Sequence, residues 1–181
     1  MKKHSLLTIG LLVSTITLYA QVQESSLNNG LGFGFQLNQY QSDFGLGLNV
    51  NSPYFANEKI AFRLRGNLMF NEHIQNTTTT WTPYSNVSLG IIGVGGNIGE
   101  YIRLYGEGGL IGLFPSNDFS SEQFVMGGYG LFGFEFFMNK ISNYFIEFGG
   151  VGTGAKEDKI ATQPIYSNGF LISAGFRVHL Q

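Results

Sequence analysis

The residues from Ser167 to the end of the chain read SNGFLISAGFRVHLQ, and they alternate. Phe170, Ile172, Ala174, Phe176, Val178 and Leu180 fall on one face of an extended chain. Leu171, Ser173, Gly175, Arg177 and His179 fall on the other. An unbroken apolar face backed by a small or polar one predicts a strand with lipid on one side and a polar interior on the other.

The same period of two recurs seven times upstream, over about 30–38, 44–51, 59–70, 83–95, 101–113, 123–137 and 143–153. The third stretch sets Phe62, Leu64, Leu68 and Phe70 against Arg63, Arg65 and Asn67. The fifth sets Ile102, Leu104 and Leu110 against Arg103, Tyr105 and Glu107. All four arginines of the chain (Arg63, Arg65, Arg103 and Arg177) lie on polar faces, as do Glu107, Glu135 and Glu147, and no charge lies on an apolar face. A soluble eight-stranded barrel has the opposite polarity. A β-sandwich needs a charged outer surface, and only 12% of residues are charged. The fold class predicted is all-β, an eight-stranded antiparallel up-and-down transmembrane β-barrel. No apolar run after the first twenty residues is long enough for a spanning helix, so a mature chain that crosses a membrane must cross as strands.

Lys2 and Lys3 precede an apolar run from Leu6 to Leu18, and Ala20 follows. This pattern predicts a signal peptide over 1–20. A short periplasmic lead-in is expected over 21–29 and the barrel domain over 30–181. An exported chain then places the links 39–43, 71–82, 114–122 and 154–166 outside and 52–58, 96–100 and 138–142 inside. The 71–82 link, with Thr77 to Thr80, reads as a polar loop. Aromatic residues near strand ends predict interfacial girdles: Tyr40, Phe44, Trp81, Tyr84, Phe119 and Phe170 on one side, Tyr54, Phe55, Tyr101, Phe136 and Tyr144 on the other.

An eight-stranded barrel has an interior just wide enough for side chains to fill it. Buried unpaired charges are costly, so Arg63, Arg65, Arg103, Glu107, Glu135, Glu147 and Arg177 should form an ion-pair network, Arg103 and Glu107 pairing with neighbours on strands six and seven. Gly32, Gly34, Gly45, Gly47, Gly109 and Gly127 leave space that Tyr105, Tyr129 and Phe145 refill. Such an interior either holds the barrel shut or forms a narrow pore that opens when pairs exchange.

In this pattern the chain resembles the small eight-stranded outer-membrane barrels, the OmpA transmembrane-domain, OmpX and OmpW group. Its last strand carries the resemblance best: Ser173, Gly175, Val178 and Leu180 match the family's assembly signal in order. The family ends on an aromatic residue, where this chain has Leu180 and Gln181. The resemblance implies residence in the bacterial outer membrane, contact with its lipid and lipopolysaccharide, and insertion by the barrel assembly machinery. It leaves function open, because one fold hosts adhesins, anchors, lipid-modifying enzymes and pores.

No enzyme signature stands out. His73 beside Glu72 reads as a solvated loop histidine, and Ser85 with His73 is a loose candidate for a nucleophile and base. His179 reads as an interface residue at the inner rim. The glycine-rich 93–99 stretch lacks the spacing of a phosphate loop and reads as a turn. There is no cysteine, and a net charge of −2 carries no nucleic-acid footprint. The expectation is a monomeric, non-enzymatic barrel without cofactor or metal, structural or interactive at the cell surface. The alternatives are a narrow channel for small or hydrophobic solutes and, more remotely, a lipid-modifying enzyme.

Overall fold

The computed structural model describes residues 30–75 and 78–180. The expected leader, 1–20, and lead-in, 21–29, lie outside the described residues. Eight strands form: β1 (Leu31–Tyr40), β2 (Asp43–Asn51), β3 (Ile60–Gln75), β4 (Thr78–Ile98), β5 (Ile102–Phe114), β6 (Val125–Phe137), β7 (Ser142–Gly152) and β8 (Gly169–Leu180). Each pairs antiparallel with its sequence neighbour, and β1 pairs with β8 to close the ring. This is the eight-stranded up-and-down barrel that the alternation predicts.

Closure follows from the alternating pattern. Every strand has an apolar face to present outward, and a closed ring leaves no unpaired edge in the barrel wall. Phe33, Phe35, Leu48, Leu64, Leu89, Leu110, Phe132 and Phe170 point outward and are exposed. The interior is lined by Gln36, Asn49, Arg63, Asn67, Glu107, Glu135, Glu147 and Arg177, all buried. In water this exterior would leave apolar surface uncovered at about 25 cal/mol per Å². It is the surface of a barrel that sits in lipid.

The links emerge at two ends. At one, the loop end, are 41–42, 115–124 and 153–168, together with the ends of β3 and β4 at Gln75 and Thr78. At the other are 52–59, 99–101 and 138–141. Two expectations need correction here. The 71–82 stretch is mostly strand, because β3 runs on to Gln75 and β4 begins at Thr78. Threonine is β-branched and suits a pleated ribbon, and Ile74 faces Thr79 while Glu72 faces Trp81 across the hairpin. The expected 96–100 turn also shrinks, since β4 passes a bulge at Val94/Gly96 and continues to Ile98. The chain then turns at Gly99, whose φ of 61° favours glycine.

The aromatic girdles are thinner than expected. Phe44, Trp81 and Phe170 are exposed at the loop end, and Phe55, Tyr101, Phe136 and Tyr144 at the other. Tyr40, Tyr84 and Phe119 instead turn into the loop end of the lumen, and Tyr54 into the opposite end. Tyr40 and Tyr84 keep the phase of their inward neighbours Asn38 and Asn86. Tyr54 packs its ring under Arg103, whose guanidinium carbon lies 4.5 Å from the ring centre.

Candidate functional site

The middle of the lumen is an ionic lattice. Arg63 and Arg65 project from β3, Glu107 from β5 and Glu147 from β7. Arg63 Nη1 donates to Glu107 Oε2 and Glu147 Oε1, each at 2.6 Å. Arg65 Nη2 donates to Glu107 Oε2 at 2.5 Å, and its Nη1 to Glu147 Oε2 at 2.7 Å. Two arginines thus share two carboxylates across the barrel. Tyr105 donates its hydroxyl to Glu147 Oε1 at 2.5 Å, and Tyr129 donates to Glu107 Oε1 at 2.6 Å. A second cluster gathers on Glu135 of β6, which binds Arg103 at 3.3 Å and Arg177 of β8. Arg63 Nη2 lies 3.9 Å from the same carboxylate and links the two clusters.

The expected partner of Glu107 is therefore corrected. Its ion pairs run across the lumen to β3, not to β6 or β7. The inward faces of β6 and β7 carry Glu135 and Glu147 but no basic residue. Arg103 does pair with β6, where Glu135 is its partner in the strand register.

Toward the loop end the charges give way to amides. Gln36 Nε2 donates to Asn38 and Asn67, Asn49 donates to Gln36, and Asn67 donates to Asn86 at 2.7 Å. Ser173 of β8 joins this ladder by donating to Asn38 at 2.7 Å, and Arg177 Nε donates to Asn49 at 3.0 Å. Glycines on the inner wall make room for the large side chains. A Cβ on Gly133 would strike the Tyr105 ring, one on Gly90 the Tyr129 hydroxyl, and one on Gly175 the Phe145 ring. The rings occupy that space, and the Phe145 ring also stacks beneath Arg177, 4.3 Å from its guanidinium carbon.

The loop end is covered by a cap. Phe119, from the 115–124 link, packs edge-on against Tyr84 and Tyr166, with centroids 6.1 and 5.0 Å away; Tyr84 and Tyr166 are 5.3 Å apart. All three side chains are buried. Tyr84 donates to Asp43 Oδ2 at 2.7 Å, and the Ser167 N–H donates to the same oxygen at 2.6 Å. The two long links are stitched together: Ser121 N–H donates to Asp158 Oδ1 at 2.7 Å, and Lys159 N–H to the Phe119 carbonyl at 3.2 Å. Hydrogen bonds from Ser121 hold the Asp158 carboxyl below its ordinary range. Burial pushes the Glu157 carboxyl up, while Asn71 and His73, which face it, pull the other way.

His73 is thus not a solvated loop residue. It is buried on the inward face of the β3 extension, its ring 6.1 Å from Phe119. Ser85 lies on the exterior face, so the wall separates the loose Ser–His candidate pair. His179 is also buried, with Nε2 3.0 Å from the Asn143 amide nitrogen. Of the four assembly-signal positions, Ser173 and Gly175 point inward, while Val178 and Leu180 point outward. Sequence reasoning missed Asp43, Glu157, Tyr166 and Ser167. Tyr84 carried a usable signal, because its phase matches Asn86 and Ser88. Phe119 and Tyr166 sit on links without periodicity and carried none.

The sequence matches no family model and no curated protein. The fold has solved counterparts. The N-terminal β-barrel domain of Pseudomonas aeruginosa OprF aligns over 84% of this chain and 98% of its own, at 13% identity and a TM-score of 0.59. Ail, the attachment invasion locus protein of Yersinia pestis, aligns over 83% of this chain and 95% of its own, at 12% identity and a TM-score of 0.43. At such identities the OprF likeness speaks for the fold alone.

Proposed function

We propose that the chain is a closed β-barrel of the bacterial outer membrane, monomeric and non-enzymatic, with a structural or interactive role at the cell surface. Its apolar exterior would meet the lipid and lipopolysaccharide of that membrane, and Ser173, Gly175, Val178 and Leu180 would be read by the barrel assembly machinery. The observation that carries the closed reading is the double obstruction of the lumen. The Arg63–Arg65–Glu107–Glu147 lattice crosses its middle, and the Tyr84–Phe119–Tyr166 stack covers its loop end.

A second reading, a narrow gated channel, draws on Arg63. It bonds two carboxylates and lies 3.9 Å from a third, an arrangement in which partners can exchange. Planar-bilayer recording separates the two. The closed reading expects a silent baseline from folded protein that shows the boiling-dependent mobility shift of an intact barrel. Discrete steps in the native protein that vanish in Glu147→Gln would overturn it.

A further inference from the structure

The lumen carries more positive charge than its carboxylates offset. Arg63 and Arg65 are matched by Glu107 and Glu147, which they share. Arg103 and Arg177 meet a single carboxylate, Glu135. Asp43 and Glu157, the other buried carboxylates among the described residues, lie at the loop end. In the half of the lumen away from the cap, one buried cation is therefore left without a counter-charge, an arrangement that buried ions avoid.

Three buried donors beside this cluster also lack acceptors: Arg63 Nη2, Arg177 Nη2 and Asn51 Nδ2. β2 brings them together. Asn51 Oδ1 accepts from Arg63 Nε at 2.7 Å, and Asn49 Oδ1 accepts from Arg177 Nε at 3.0 Å. The two asparagines stand two residues apart on one face of the strand, about 6.5–7 Å along it. In a guanidinium, Nη2 is the nitrogen beside the Nε–H, so each unpartnered nitrogen sits on the β2 side of its fork. Arg177 reaches across β1 because Gly32 lies in its path, where a Cβ would stand 3.1 Å from Arg177 Cδ. Both guanidiniums also converge on Glu135 Oε1, which Arg177 Nη1 binds and Arg63 Nη2 approaches to 3.9 Å. A water molecule accepts two hydrogen bonds and brings no charge. A monatomic anion accepts from all three donors and cancels the excess.

We propose that this half of the lumen holds a chloride-sized monovalent anion, bound by Arg63 Nη2, Arg177 Nη2 and Asn51 Nδ2. The anion is enclosed as the barrel folds. The inference goes beyond the closed-barrel reading and holds whether or not the lumen conducts.

The chain is refolded into detergent micelles in sodium chloride, sodium bromide or sodium gluconate. Ionic strength is held equal, so general screening is the same in all three. Urea unfolding is followed by the gel shift. A ligand bound by the folded state alone raises its stability with concentration. The unfolding midpoint should climb with chloride or bromide and level off, and stay flat in gluconate, which is too large to be enclosed. Asn51→Asp puts a carboxylate in place of the amide, so it should abolish the climb while the boiling-dependent shift is kept. Crystals grown in bromide should show an anomalous peak within hydrogen-bond reach of the two Nη2 atoms. Identical midpoints in all three salts, with no bromide peak, would overturn the proposal and leave the donors to water. So would a halide effect of full size in Asn51→Asp.

Discussion

The lumen lattice and the cap both bury carboxylates, and they treat them in opposite ways. Glu147 is held by Arg63, Arg65 and Tyr105, with bonds from 2.5 to 2.7 Å. Glu157 is equally hidden, but one of its oxygens has no partner and its facing groups are His73 and Asn71. Several donors on one carboxylate in a low-dielectric interior strengthen one another and rigidify what surrounds them. The middle of the barrel thus surrounds its carboxylates with donors and leaves guanidinium nitrogens, Arg63 Nη2 and Arg177 Nη2, without a hydrogen-bond partner, while the cap leaves a carboxylate oxygen, Glu157 Oε2, without one.

The sharpest test of that contrast is Glu147→Ala against Glu157→Ala. Removing Glu147 leaves two buried guanidiniums short of a partner, and breaking such a pair costs about 3–5 kcal/mol. Glu157→Ala removes a group that burial already disfavours, so its effect on global stability should be small. Urea unfolding of both variants in lipid vesicles, followed by the mobility shift on gels, reads the difference. Comparable destabilisation by both would erase the distinction between the two regions.

A smaller effect tests how the lumen is packed. A methyl group on Gly133 meets the Tyr105 ring and displaces the hydroxyl that donates to Glu147. Gly133→Ala should cost about 1–3 kcal/mol, the usual range for overpacking. Gly66→Ala is the control, because a Cβ there meets nothing within 4 Å on the outer face. There the loss of chain entropy in the unfolded state should leave stability level or raise it by about 0.4–1 kcal/mol. Equal loss in both variants would mean that the strand backbone needs glycine at these positions, not that the aromatic rings need the space.

The two regions also differed in how legible they were. The lattice could be read because a strand has a period of two. Once the apolar faces were assigned, Arg63, Arg65, Arg103 and Arg177 had nowhere to point but inward. Which carboxylate each arginine met could not be read, because Glu107 reaches β3 across the lumen and chain order carries no trace of that distance. The 71–82 stretch misled because polar threonines suit both a loop and a strand beyond the lipid, and only the pairing of Ile74 with Thr79 decides. The cap was invisible for a different reason. Phe119, Glu157 and Tyr166 lie on links with no regular period, and their positions depend on contacts such as Ser121 to Asp158 that join distant segments.

The smallest expected effect concerns the cap and pH. Glu157 faces His73 from β3 and lies near Asp43 of β2 and Tyr166 of its own link. Burial raises its carboxyl, so the closed cap binds a proton more readily than the open one does. Between the ordinary glutamate range, about pH 4.3, and the raised value, the open form holds fewer protons than the closed form. Stability of the closed form therefore falls as pH rises through that window. Amide exchange across 154–166 should quicken beyond its intrinsic pH dependence as the pH climbs out of that range. In Glu157→Gln the excess should disappear. An excess that survives in Glu157→Gln would move the effect to Asp43 and leave Glu157 as a bystander in the cap.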